Sequence, residues 1–308
     1  MLLKQIKQNE NFLVDEILAG LDDDRGLIIW RNFIRRTRPY EIKFTKVLKG
    51  LFRQQEKEVL ANMRAHPKAV EDAHIDIAKR RYLIDFPNVE ITERSIKQNW
   101  LSAWLFAEMM WRKRFSNNGK IFIGGVLEDV GQSELTNLVV GIDFDVSSPA
   151  VQDFISKNAD KFSFAVNKET IDSLRKQLIA GVKLGESIPE LTKRVNKVFG
   201  FAEKYRATRI ARTEIIRGAN AGAEFAYIQS GVVKGKEWLV SAGACDFCLF
   251  ISEEMNQRDL GEPFFKQGDT LTVPSGDRTI SMEIDYGDIE FPPLHPSCKC
   301  TIIAVLKE

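Results

Sequence analysis

All four cysteines of this chain fall in two short clusters, Cys245-Asp-Phe-Cys248 and His295-Pro-Ser-Cys298-Lys-Cys300. Any fold open to the sequence has to account for thiols that are absent elsewhere and spaced this way here. A two-residue spacer lets one tight turn aim two ligands at the same ion, and zinc prefers thiolate and imidazole in a tetrahedral set. Five candidates therefore compete for four places. The spacing favours Cys245, Cys248, His295 and Cys298. Cys300 replaces either of its neighbours if the chain is already extended there, because alternate strand residues share a face. The other readings are disulfides between the clusters, or four reduced and buried thiols. Roughly 50 residues separate the clusters, a long connection to leave untied. A structural Zn2+ closed by four protein ligands would tie it and leave no position for a reactive water.

The expected fold class is α+β: a mainly helical N-terminal domain, then a mixed domain of helices followed by short antiparallel strands, tied by the Cys/His site. A length of 308 residues suits two domains. Residues 1–120 form the helical, basic domain. From Tyr40 to Met63, Phe44, Val47, Leu48, Leu51 and Phe52 recur at helical spacing. A second helix, from about Thr92 to Phe115, carries a stripe of Ile96, Trp100, Ala103, Trp104, Ala107 and Trp111. These faces, with Trp30, are expected to bind a partner or another copy. Asn117-Asn118-Gly119 and the Gly-rich run after it break the pattern and place a linker over 121–147.

Within 148–308, Ser148-Pro149 starts a helix, and Asn167 precedes a second that ends near Gly181 to Gly185. Ser187 and Glu190 bracket a capping box with Pro189 in the first turn. A helix rich in Ala and Gly spans Glu203 to Gln229, where small residues permit close approach, and Ser230-Gly231 ends it. Strands are expected at Glu237 to Val240, Thr270 to Val273, Thr279 to Ile284 and Lys299 to Val305.

A net charge of +1 hides a split, with +7 over residues 1–120 and −6 over 121–308. Only the first half is drawn to polyanions. Between Arg25 and Arg53 nine basic residues stand against Glu41, and Arg31, Arg35, Arg36 and Arg38 are the candidate phosphate contacts. Lys193 to Arg217 holds eight basic residues against two acidic ones, a second candidate surface. Nothing here resembles a base-reading module, so binding to double-stranded DNA would be independent of sequence. No apolar run has the length of a membrane span, and the N-terminus does not read as a secretory signal, so no membrane partner is expected.

No catalytic residue is assigned, and an enzyme is not expected. The chain has no H-E-x-x-H, no G-x4-G-K-[ST], no G-x-G-x-x-G and no G-x-S-x-G. The zinc-deaminase signature fails because Lys68, Asp76 and Ser297 stand where its Glu would follow a His. A nucleophile pair of Cys300 and His295 reads more simply as metal ligation.

Four phrases in order resemble the phage head morphogenesis, or Mu F-like, minor head protein family. They are Ile210-Ala211-Arg212-Thr213-Glu214 with Asn220, then Ser230-Gly231-Val232 leading to Lys236-Glu237-Trp238, then Cys245-x2-Cys248, then Pro292-Pro293-x-His295-Pro296-x-Cys298-Lys299-Cys300. Lys299 stands where the family usually has Arg. The resemblance covers about residues 145–302. It implies a non-enzymatic component of tailed-phage heads, assembled in the bacterial host cytoplasm and lying inside the capsid of the virion. Its implied partners are the portal protein, with the major capsid or scaffold protein, and in some members DNA. The competing reading is a zinc-containing DNA-binding or DNA-processing protein. On the IARTE helix, Arg209, Arg212 and Glu214 are expected to form a structural polar network, with Arg209 four residues from Thr213 and Glu214 three from Arg217.

Overall fold

Apolar side chains three and four residues apart decide which helix faces meet. A computed structural model describes residues 25–65 and 94–308, with backbone only at 94–107 and 182. Helix α1 (Arg25–Ala65) buries Phe33, Phe44, Leu48, Leu51 and Phe52, as the spacing predicts, and begins well before Tyr40, running through Pro39. Helix α2 (Arg94–Asn137) lies against it, and α3 (Pro149–Lys183) packs on α2. The Phe44 ring stacks on Phe122 at 4.8 Å and meets Phe162 at 5.7 Å, which joins the three helices in one aromatic layer.

Three expectations need correcting. Trp30, Phe44, Phe52 and Trp111 are buried in the chain's own interior, so they are core and not docking faces. The side chains of Ile96, Trp100, Ala103, Trp104 and Ala107 lie outside the described residues. The linker expected over 121–147 is helical through Asn137. Helix α2 runs unbroken past Asn118, whose side-chain amide bonds back to the Arg114 carbonyl at 2.8 Å. Gly131 there is a close approach and not a break: an added Cβ would sit 2.7 Å from the Phe144 ring. Asn167 does not start a helix but sits fully buried inside α3, where its carbonyl accepts from Gln55 of α1 at 3.0 Å. A buried side-chain partner has overridden the local preference of Asn for helix ends.

Helix α4 (Ile188–Phe201) starts at the expected box, with the Ser187 N–H donating to the Glu190 carboxylate at 2.7 Å. One π-helical turn (Ala202–Arg206) carries the chain without interruption into α5 (Ala207–Ser230). The small residues of α5 act as expected: a Cβ on Gly222 would lie 2.3 Å from the Leu127 carbonyl oxygen of α2. Gly231 caps α5 in the left-handed conformation at φ 67°.

The rest is α+β, as expected. Strand β1 (Val233–Leu239) pairs antiparallel with β2 (Gln257–Asp259) on one side and β5 (Thr301–Leu306) on the other. Strands β3 (Thr270–Ser275) and β4 (Arg278–Glu283) form a separate hairpin. A short helix, α6 (Asp246–Glu254), and β2 have no counterpart among the sequence expectations. One apolar core runs through α1 to α5 and reaches Val233 and Ile302, and a second gathers around Trp238, Phe264, Val273 and three of the cysteines.

Candidate metal centre

Cys245 is the N-cap of α6 and Cys248 lies in its first turn, so both sulfurs leave the helix end where unpaired N–H groups favour negative charge. The facing cluster is a tight turn in which the Cys298 N–H bonds to the His295 carbonyl at 3.1 Å and Ser297 takes a positive φ of 68°. The two clusters meet. Cys245 Sγ lies 3.1 Å and Cys248 Sγ 3.7 Å from His295 Nε2, and Cys248 Sγ lies 3.8 Å from Cys298 Sγ. All four thiols are free, so the disulfide reading does not describe this structure. Cys245, Cys248 and His295 form one group that could hold a metal ion, and Cys248, Cys298 and Cys300 form a second, the ligand atoms of each within 4.8 Å of one another. Cys248 belongs to both.

His295 Nδ1 faces the Pro296 carbonyl at 3.0 Å. A carbonyl only accepts, so Nδ1 carries the proton and Nε2 turns its lone pair to the sulfurs, the tautomer a metal ligand requires. In the second group the three sulfurs shift one another. The Cys300 thiol is held down at about 3 by hydrogen bonds from Cys248 and Cys298, with Ser241 helping against burial. The Cys248 bond pulls Cys298 down, but the bond to Cys300, burial and the Cys300 charge push it up to about 12. Donation to Cys298 and Cys300, with burial, pushes Cys248 up as well. A cation taking these sulfurs as ligands would displace their protons.

Three anchors from the helical core hold the turn that carries the second cluster. Thr213 Oγ1 accepts from the Ser297 N–H at 3.1 Å. Asn220 donates to the Cys300 carbonyl at 3.2 Å and accepts from Thr301 Oγ1 and the Ile302 N–H at 2.8 and 3.1 Å. The Trp30 indole of α1 donates to the Lys299 carbonyl at 3.0 Å. Sequence reasoning had Asn220 only as part of a resembling phrase and Thr213 as a helical neighbour of Arg209, and nothing in the sequence linked Trp30 to the far end of the chain. It also missed a fully buried ion pair between Lys236 of β1 and Glu224 of α5 at 2.8 Å, to which the Gly261 N–H adds a bond at 2.7 Å.

The expected polar network is split. Arg212 pairs with Glu41 of α1 at 2.9 Å. Glu214 pairs with Arg217 at 2.9 Å, and the Arg217 guanidinium stacks on Tyr286 at 4.6 Å. Arg209 contributes its carbonyl to Thr213 at 2.8 Å, and its side chain is exposed beside a cavity of about 360 Å³ that His295 also lines. The candidate phosphate contacts diverge too. Arg35 and Arg38 are exposed, Arg36 is exposed but pairs with Asp129 at 2.8 Å, and Arg31 buries two guanidinium nitrogens. In the second basic segment Arg194 pairs with Glu186, and buried Arg206 donates to Thr170 and the Val166 carbonyl. Among the described residues, no helix is long and apolar enough to cross a membrane.

Compared with models of protein families, with curated proteins and with solved structures, the chain matches none.

Proposed function

We propose that this chain is a minor head protein of a tailed phage or prophage, acting in head assembly at the portal vertex, and that its Cys/His centre holds one structural zinc ion. The observation that carries the reading is the convergence of the resembling phrases. Thr213 and Asn220 of the IARTE helix both bond the segment from Ser297 to Ile302, and that segment brings His295 and Cys298 to the Cys245-x2-Cys248 pair. Short phrases matched by chance have no reason to interlock. The donor set supports zinc: tetrahedral Zn–S bonds of about 2.3 Å put sulfurs about 3.8 Å apart, the separation of Cys248 and Cys298. Cys248 belongs to every ligand set, with Cys245 and His295 on one side and Cys298 or Cys300 on the other. The bound ion would supply no reaction; it would fix the two clusters to each other.

In this reading the chain associates with the portal protein, and with major capsid or scaffold protein during assembly, and stays inside the capsid. The test is mass spectrometry of DNase-treated heads with and without portal. The chain should be protease-protected in complete heads and missing from portal-less ones, with about one zinc per purified chain; a chain found only outside particles would overturn the reading. Exposed Arg35 and Arg38 favour a second one, a zinc-containing DNA-binding or DNA-processing protein, for which tight duplex binding in the absence of head proteins is the deciding result.

A further inference from the structure

Strand β5 is the outer strand of its sheet, and its backbone shows which groups its open edge presents. The Ile302 N–H bonds Asn220 and the Ile302 carbonyl accepts from Tyr227 at 3.4 Å, whereas the Lys307 N–H bonds Val232 across the β1 side. Odd positions therefore face β1 and even positions face outward. Asn220 and Tyr227 occupy the outward groups of Ile302, and those of Ala304 and Leu306 follow along the same edge. They open on a groove of about 1320 Å³ between β5, α1 and α2. Unpaired strand edges template the pairing of another chain.

The walls indicate what that chain carries. Arg25, Arg35, Lys43 and Lys307 line the groove beside apolar Ile29 and Tyr40. Arg25 and Lys43 have no carboxylate partner among the described residues, Arg35 donates to Asn32, and Lys307 donates to the Gly231 carbonyl. The acidic lining groups are engaged: Asp129 pairs with Arg36, and Glu134 accepts from Tyr227 at 3.2 Å. We propose that this groove binds an extended peptide segment of a partner protein, acidic and apolar in alternation, which adds a strand to the open edge of β5. The peptide's backbone would pair with Ala304 and Leu306 and its carboxylates would meet the cations. A DNA duplex could use the charges but not the strand edge, which is why the observations favour a peptide. The inference does not depend on the phage-head reading.

The probe is a fluorescein-labelled peptide of about ten residues, near two strand lengths, with Glu or Asp alternating with Val or Ile. Anisotropy is read on the full chain at about 0.15 M salt. Wild type should bind, and the double variant Arg35→Glu, Lys43→Glu should bind about tenfold more weakly, a modest interface effect. Ala304→Pro removes one outward N–H at an edge position that tolerates proline and should weaken binding similarly. If that variant misfolds by circular dichroism, the same peptide N-methylated at alternate residues removes pairing from the ligand side and should fail to bind. Equal binding of the N-methylated peptide, no binding of any peptide, or duplex DNA binding that depends on Arg35 and Lys43 in place of peptide binding would each overturn the proposal. So would a concentration-dependent dimer abolished by Ala304→Pro, which would assign the edge to a second copy.

Discussion

The helical core and the strand region solve the same problem with different means. Helices α1 to α5 bury long runs of Phe, Leu, Val and Ala, and α5 lies so close to α2 that only glycine fits at 222. Among the described residues the second core has twelve buried ones, of which three are cysteines. A region of this size, with short strands, sits near the limit where apolar burial alone holds a fold. The difference marks where a bound ion would add most: the helical core is built of aliphatic and aromatic side chains, and the strand region has its sulfurs where larger domains have aliphatic ones.

Removing the shared ligand tests that contrast most severely. Cys248→Ala, or chelation of a metal held by the Cys/His clusters, should unfold the strand region while leaving far-ultraviolet helicity largely intact. The cost should exceed about 5 kcal/mol, because metal bound only by the folded site contributes directly to folding. Hydrogen exchange of the β1 and β5 amides against circular dichroism in a denaturant series measures it, and coincident transitions at unchanged midpoint would erase the contrast. The counterpart in the helical core is Phe44→Ala, at a fully buried position. It should cost about 3–5 kcal/mol in the helical transition and leave metal stoichiometry unchanged.

Asn220→Ala addresses the seam. Its amide serves the Ile216 and Cys300 carbonyls, Thr301 Oγ1 and the Ile302 N–H, and truncation leaves buried backbone groups without partners. The expected loss is about 3 kcal/mol. It should also separate the two transitions further, since the anchor between the cores is what would be lost; a uniform shift of both would mean that coupling runs through Lys236 and Glu224 instead.

What the sequence revealed divides along the same line. The β3–β4 hairpin, the α4 cap, Gly231 and the five candidate ligands were legible because each rests on local chemistry: turn residues, a capping box, a short spacer. The unbroken α2 was not, because helix breaking by Gly and Asn is a local preference and the Phe144 ring packed on Gly131 is a tertiary fact. Asn167 was misread for the same reason, its partner Gln55 lying on another helix. The basic segments were legible as composition only. Which arginines stay exposed depends on carboxylates that come from distant positions, Asp129 for Arg36 and Glu41 for Arg212.

The smallest expected effect concerns Glu134, which sits on α2 where the helical core meets β5. Burial raises the pKa of its carboxyl, opposed by hydrogen bonds from Tyr227 and Asn137 and by the charge of Arg36. A folded-state pKa above the unfolded one means that the protonated carboxyl contributes stability fully below the ordinary carboxylate range. That contribution is lost as pH rises through the folded value. At neutral pH the ionised group therefore costs stability, and Glu134→Gln should be more stable than wild type by about 0.5 kcal/mol, the scale of substitutions outside cores and caps. At about pH 4, near the ordinary glutamate value, the two should coincide, since both then present a neutral acceptor to Tyr227. Paired denaturant curves across that range measure the difference. If Gln is instead the less stable at neutral pH, Tyr227 and Arg36 hold the carboxylate more strongly than burial disfavours it. The seam between the cores would then be a charged lock and not a desolvated contact.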